Sequence, residues 1–366
     1  MIRGGHMDKI IKNILKKIEN EGYEAYIVGG FVRDLLLGKP SYDVDICTNA
    51  LPMNLKQIFG LTQNSNGYGG FNLKIKKYNI DITTYRKEKK YNNRRPVEVE
   101  YINNLFEDIK RRDFTINSFC MDKNGNIIDL LNAREDLNKK EVKIIGEADT
   151  KFEEDPLRML RAIRFATILD FEIERETYKS ICRNSDLVGL LSSERIKEEL
   201  SKILCSEHAL RGLQILNKTG IDKVIGLSYN NVVFTSDILG MWAQIDCSKV
   251  KFSKTESDNI SKIKTLVKIG KIGNFELFNY GLYLCLVAGE ILGISHQVVN
   301  KRYKVMPIKS MKDIDITGSE IIKLLNVEPG KLISDIITDV KIEILNVRLK
   351  NKKYEIKKYI LRKWTK

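Results

Sequence analysis

YIVGGFVRDLLLGKPSYDVDIC, residues 26–47, reads as strand, turn, short helix and second strand, and the rest of the chain is interpreted around it. The apolar run 25–28 meets Gly29-Gly30, residues 31–37 are rich in helix formers and stop at Gly38, and Asp43, Val44, Asp45 and Ile46 alternate acid with aliphatic. Side chains of a strand repeat with period two, so Asp43 and Asp45 share one face while Val44 and Ile46 turn to a core. Two carboxylates on one face with no base between them repel unless a cation sits there, and hard oxygen ligands suit Mg²⁺. Magnesium is commonly shared with substrate phosphates, which the backbone N–H groups of a Gly29-Gly30 turn opening a helix can hold. Asp-x-Asp alone is more often surface, and Gly-Gly alone more often a turn. The combination, with Arg33-Asp34 between the two, is much more specific.

The chain of 366 residues, 43% of them apolar, is long enough for roughly two to four domains with ordinary cores. It contains no uncharged apolar run of the roughly eighteen residues that a membrane helix needs. Residues 1–7 carry a charge and two glycines but no apolar segment, unlike a signal peptide, and His6-Met7 resembles a cloning scar with Met7 as the natural start. A net charge of +14, from 62 Lys+Arg against 48 Asp+Glu, suits a polyanionic partner such as nucleic acid. The abundance of Lys, Ile and Asn that an A·T-biased genome supplies explains the same number equally well. Six scattered Cys without a CxxC pair suggest reduced thiols in a cytoplasm, and three His, one of them in the scar, argue against a zinc centre or a histidine-based hydrolase.

In chain order, residues 8–21 place Ile10, Ile11, Ile14, Leu15 and Ile18 on one helical stripe ended by Gly22. Residues 49–59 read as a helix, 64–70 as a Gly/Asn loop, and 71–75 and 80–85 as strands joined in hairpin fashion. In the second of these Asp81 and Thr83 share a face, so Asp81 is a candidate third carboxylate, or simply a polar residue on an exposed strand face. The charged stretch 86–96, RKEKKYNNRRP, shows no apolar periodicity and reads as a surface loop. Within residues 107–119, EDIKRRDFTINSF, Arg111 and Arg112 can reach triphosphate oxygens in a bidentate fork, while Asp113 can accept from a ribose hydroxyl. In residues 151–169 Asp155 and Pro156 open a helix whose Leu157, Leu160, Ile163 and Ile168 serve a core, while Arg158, Arg161 and Arg164 recur at i+3 as one basic stripe. Ser192 caps a further helix, 194–204. Beyond about residue 210 the pattern is helical, with a Lys-rich segment at 253–271 and a basic tail, 350–366, in which Tyr and Trp can stack on bases or simply pack.

GGFVRD followed by DVD resembles the first motif of the class II tRNA nucleotidyltransferases, the CCA-adding enzymes, and of the bacterial poly(A) polymerases, within the polymerase-β-like superfamily. RRDFTIN, with Asp113 and Asn117, resembles the second motif, in which the Asp helps select ribose over deoxyribose. EDPLRMLRAIRF resembles the fourth, in which the Asp and the Arg three residues on, here Asp155 and Arg158, hydrogen-bond the incoming base, with Glu154 in support. A carboxylate that only accepts and a guanidinium that only donates can match the edges of C and A and leave groups of G and U unpaired. The segment ERIKEELSKIL resembles the fifth motif, with Arg195 bracing the helix before it. The third motif departs: Asn132-Ala133-Arg134 stands where the family's hinge usually carries Pro and Gly. In the family a flexible loop at the place of residues 86–96 is associated with the final A addition, and residues 315–330 loosely resemble the tail that grips the tRNA elbow. No histidine-aspartate phosphohydrolase signature is present.

The resemblance spans roughly residues 24–205. It implies an α+β fold, with a mixed-sheet nucleotidyltransferase head at 7–140 after the scar at 1–6. An all-α neck at 141–210, body at 211–300 and tail at 301–366 follow. It implies Mg²⁺-dependent addition of CCA to tRNA 3′ ends from CTP and ATP in the cytoplasm, without a membrane, by a monomer or homodimer. The implied catalytic residues are Asp43, Asp45 and Asp81, with Asp43 and Asp45 as metal ligands. Gly29, Gly30, Arg33, Arg111, Arg112, Asp113 and Asn117 would hold the nucleotide and its phosphates. Glu154, Asp155, Arg158, Arg161 and Arg164 would recognise the base. A CC-adding enzyme, an A-adding enzyme and a poly(A) polymerase share these motifs. A non-catalytic tRNA-binding or chaperone protein on the same scaffold is the reading outside the class, against which the intact Asp43-x-Asp45 counts.

Overall fold

Alternation along the central strand of the head decides its layering: Val44 and Ile46 are buried while Asp43 and Asp45 are exposed. The computed structural model describes residues 8–60, 70–92 and 95–365. The expected loop at 64–70 therefore lies almost wholly outside the described residues, as do residues 1–7. Helix α1, Lys9–Glu19, is capped by Asp8 and buries Ile11, Ile14, Leu15 and Ile18. It precedes β1 (Ala25–Val28), α2 (Gly30–Leu36), β2 (Asp43–Thr48), α3 (Pro52–Phe59), β3 (Phe71–Ile75) and β4 (Tyr78–Thr84). Strands β7 (Cys120–Met121) and β8 (Ile127–Ile128) complete a mixed sheet of order β3-β4-β2-β1-β7-β8. Only β2 and β4 run parallel among its pairs, in a register that sets Asp45 beside Asp81.

The charged stretch expected as a loop is a ribbon instead. Strands β5 (Arg86–Asn92) and β6 (Arg95–Tyr101) pair antiparallel from Arg86 opposite Tyr101 to Asn92 opposite Arg95. The signal was the alternation Val97, Glu98, Val99, Glu100, Tyr101 in its second half. A ladder also gives the backbone amides partners that an open loop would leave to water. Helix α4 (Leu105–Lys110) and a 3₁₀ turn (Thr115–Asn117) follow the ribbon. Helix α5 (Ala133–Lys139) starts at Asn132, whose φ of +54° is the left-handed conformation a glycine would supply. Asp129 accepts from the N–H groups of Ala133 and Arg134 at 2.9 and 3.0 Å, so the departure from the hinge pattern is accommodated locally.

Helical elements then dominate, apart from two short ladders. The first ladder pairs β9 (Glu141–Val142) with β10 (Glu172–Ile173), and around it lie α6 (Ala148–Glu154), α7 (Leu157–Leu169), α8 (Arg175–Asn184), α9 (Ser193–Leu204), α10 (Ala209–Lys218) and α11 (Ile221–Ile225). Helix α7 buries Leu160 and Ile163 as expected, but Ile168 is 40% exposed, because it lies on the side of the helix opposite that core. The described residues to Gly226, with Ser248–Val250, form one compact unit, and Leu227–Cys247 with Lys251 onward form a second.

The second unit holds the other ladder, β11 (Leu227–Tyr229) with β12 (Ile245–Cys247), and α12 (Ile238–Trp242). Its helices α13 (Lys254–Ile269), α14 (Asn274–Ile291), α15 (His296–Lys304), α16 (Gly318–Leu325), α17 (Lys331–Leu345) and α18 (Lys353–Trp364) enclose a core that includes Leu266, Cys285, Ile321, Ile336 and Ile356. In the basic tail the aromatics divide: Tyr359 Oη and Trp364 Nε1 donate to Asp339 at 2.7 and 3.2 Å, while Tyr354 is 72% exposed. Among the described residues no helix is long and apolar enough to cross a membrane. All six cysteines are free thiols.

Candidate functional site

The turn between β1 and α2 is built for close approach. Gly29 sits at φ 82° and ψ −142°, a region open essentially only to glycine, and a Cβ there would lie 3.2 Å from Asp45 Oδ2. Asp43 and Asp45 project from β2 beside this turn, and both line one cavity of about 700 Å³. Burial pushes the Asp45 carboxyl above its usual range, with Asp81 and Asp43 adding to the rise and Arg112 and Arg161 opposing it. Its surface is open to the cavity, so the rise records low-dielectric walls and like charges around a water-accessible group. Such a carboxylate pair is stabilised by a cation, which fits the donor chemistry that the sequence suggested. Asp81 does not line the cavity; its Oδ1 accepts from Asn72 Nδ2 at 2.9 Å. Among the described residues no three His, Cys, Asp or Glu groups converge as a metal cage.

Around these carboxylates the cations are held in fixed orientations. Arg33, 7% exposed, donates to Asp34 Oδ1 from Nε and Nη2 at 2.9 and 2.7 Å and to Asn117 Oδ1 from Nη1 at 2.7 Å. Asn117 passes the contact on, its Nδ2 donating to Asp113 Oδ1 at 3.2 Å. Asp113 Oδ2 accepts from Arg161 Nε at 2.8 Å and also from Nη2 of the same side chain. Burial works to raise the Asp113 carboxyl, but Arg161 outweighs it and holds the group below the usual carboxylate range. The residue expected to meet the ribose is therefore also one end of an ion pair that ties the sheet-bearing part of the chain to α7.

The stripe Arg158, Arg161 and Arg164 faces the cavity, and an acid partners each arginine. Arg158 Nη1 donates to Glu154 Oε2 at 2.9 Å and to the Lys151 carbonyl at 3.0 Å, so Glu154 supports Arg158 from outside the cavity wall. Arg164 Nε lies 2.7 Å from Glu199 Oε2, close enough for an ion pair although its angle falls short of a hydrogen bond. Phe165 is a hub that the sequence reading missed. The guanidinium carbons of Arg33, Arg161 and Arg164 lie 5.3, 5.4 and 4.3 Å from its ring centroid, and Phe114 meets it edge-on at 5.6 Å. Asp155 Oδ1 caps α7 by accepting from the Leu157 N–H at 3.2 Å, while its Oδ2 accepts from Arg195 Nη2 at 3.0 Å. The expected brace from Arg195 is present.

The cavity thus brings together Gly29, Gly30, Arg33, Asp43, Asp45, Arg111, Arg112, Asp113, Asn117, Asp155, Arg158, Arg161 and Arg164, and leaves Asp81 and Glu154 just outside its lining. Arg86 and Phe165 line it as well, though the sequence reading gave them no role. Phe165 was detectable as the aromatic residue next to the last arginine of the stripe. Arg86 carried no signal, since it stood in a run of charges that reads as solvated.

Known proteins resemble this chain over most of its length. Residues 25–143 match the family described as "Poly A polymerase head domain", 170–226 the one described as "Probable RNA and SrmB- binding site of polymerase A", and 236–360 the one described as "tRNA nucleotidyltransferase domain 2 putative". The CCA-adding enzyme of Ligilactobacillus salivarius is 34% identical over 91% of this chain and 91% of its own. That of Lactococcus lactis is 33% identical over 94% and 95%. The crystal structure of the Bacillus stearothermophilus CCA-adding enzyme in complex with CTP superposes with a TM-score of 0.84 at 28% identity, covering 96% of each chain. With matched relatives over nearly its whole length, and with the paired carboxylates and the arginine stripe facing one cavity, the chain belongs to the CCA-adding enzyme family.

Proposed function

We propose that this protein adds C, C and A to the 3′ end of tRNA from CTP and ATP, releasing pyrophosphate at each step, in the cytoplasm. The observation that carries the reading is that one cavity faces Asp43 and Asp45, the Arg111-Arg112 pair and the Asp155–Arg158 turn at once. Asp43 and Asp45 are the residues that would hold Mg²⁺, which supplies the charge that acidifies an RNA 3′-hydroxyl and neutralises leaving pyrophosphate. Gly29 and Gly30 let the triphosphate approach the backbone, and Arg111 and Arg112 orient its oxygens. Asp155 and Arg158 present an acceptor edge and a donor edge to the base, held in place by Arg195 and by Glu154. Labour divides along the chain as a head at 7–140, a neck at 141–210, a body at 211–300 and a tail at 301–366 that holds tRNA.

Labelled CTP or ATP and tRNA transcripts lacking one, two or all three of the terminal nucleotides test the reading. Completion of every transcript to CCA is the expected result. Arrest after CC, addition of A alone, or runs of A would reassign the product, and no incorporation would overturn the reading.

A second measurement concerns Asp113. Replacement by Asn should narrow the preference for NTP over dNTP several-fold, since the charged ribose acceptor is weakened. It should also lower Tm, because Arg161 loses its ionic partner. Lowered Tm with unchanged sugar discrimination would make Asp113 a structural link only.

A further inference from the structure

Asp108 is fully buried and stands behind the cavity wall, where it collects donors from three residues that line it. Its Oδ1 accepts from Arg111 Nε at 2.8 Å and from the Arg86 backbone N–H at 3.2 Å, and its Oδ2 accepts from Arg112 Nη2 at 3.2 Å. The residue lies on α4, directly after the ribbon formed by β5 and β6, and is next to Ile109, which packs with Val28, Cys47, Tyr85 and Cys120. An uncompensated carboxylate in such a place is costly. Burial alone would raise its pKa, but Arg112 and Arg111 overcome that and keep it ionised.

We infer that Asp108 is a positioning residue for the triphosphate end of the nucleotide site. It fixes the two guanidinium groups that meet the phosphates and, through the Arg86 N–H, pins the root of the ribbon to the same point. The inference rests on reading the cavity as a nucleotide site. A guanidinium held by a rigid carboxylate keeps its remaining N–H groups aimed, and less ordering is left to do when an anion binds. Arg111 and Arg112 are adjacent in sequence and would otherwise leave α4 in different directions; one shared anion makes them act together.

The test is Asp108→Asn, which keeps the shape and an acceptor for the Arg86 N–H but removes the charge. Inorganic tripolyphosphate is the probe, since it occupies the phosphate subsite without a base or sugar. Its inhibition constant, and KM for both CTP and ATP, should rise roughly tenfold or more, as is usual when an outer-shell partner of a binding group is lost. KM for tRNA and the choice of C and A over U and G should stay unchanged. In an Arg111→Ala background the same substitution should add much less, because Asp108 then has less to position. A purely structural role would lower Tm and the active fraction and leave the tripolyphosphate constant where it was. Should Asp108→Asn not fold, Asp108→Glu retains the charge displaced by one methylene and should raise the constant several-fold. An unchanged constant in a folded variant, or full additivity with Arg111→Ala, would overturn the role of Asp108. A wild-type protein that transfers neither CMP nor AMP to tRNA would overturn the nucleotide reading with it.

Discussion

Asp43→Ala and Asp45→Ala should each abolish nucleotide transfer under Mg²⁺, with activity down by at least about a thousandfold, while the protein stays folded. Loss of a metal ligand removes several kcal/mol of charge stabilisation at the reacting phosphate, and about 1.4 kcal/mol corresponds to each factor of ten. The fold should survive because both side chains are exposed on the cavity side of β2 and the core side of that strand is untouched. Asp45→Asn should even raise Tm at neutral pH. The carboxyl is held above its usual range in the folded chain, so between the unfolded and folded pKa values the folded chain keeps a proton that the unfolded chain has released. Stability therefore falls as pH rises through that window, and the deficit is complete above it. The gain from Asp45→Asn should vanish in acid below the ordinary carboxylate range, where the wild-type carboxyl is protonated in both states. Mg²⁺ should raise Tm of the wild type and not of Asp45→Asn. Substantial transfer by either alanine variant would sink the metal-site reading, and a Tm equally sensitive to Mg²⁺ in both proteins would place the ion elsewhere.

Asp155→Asn is expected to blur base choice more than it slows transfer. The carboxylate serves two masters: Oδ1 caps α7 and Oδ2 holds Arg195, which leaves an acceptor edge facing the cavity. Asparagine can still cap through its amide oxygen, but its amide nitrogen turns a donor toward Arg195 or toward the base. Lost discrimination of this kind costs about 1–3 kcal/mol, so misincorporation of UTP or GTP should rise roughly ten- to hundredfold relative to CTP and ATP. Kinetics with the four NTPs measures it directly. Retained C/A fidelity at a normal rate would reduce Asp155 to a cap. Arg195→Lys should move fidelity in the same direction by a smaller factor, since a lysine cannot reproduce the guanidinium geometry.

Much of this site was legible along the chain because its chemistry repeats at short spacing. Period two put Asp43 and Asp45 on one face of β2, and their exposure against buried Val44 and Ile46 follows the same rule. Gly29 stands at a positive φ where only its lack of Cβ fits, and the three-residue recurrence of Arg158, Arg161 and Arg164 places all three along one cavity wall. Asp155 with Pro156 marked the start of α7 through capping chemistry that acts within one turn. Period also misled where it was weak: the charge of residues 86–96 hid the alternation of β6, and Ile168 fell on the exposed side of its helix.

Only the tertiary structure decided which charges neutralise which. Asp113 and Arg161 are 48 residues apart, Asp155 and Arg195 are 40 apart, and Arg33 meets Asn117 across 84 residues. Local pattern tells which face a side chain occupies but not what arrives opposite it, because that neighbour comes from an element positioned by packing of the whole core. The same limit hid Asp108: its spacing to Arg111 and Arg112 reads as an ordinary helix-surface pair, and burial alone turns it into the shared anchor of a phosphate-facing wall.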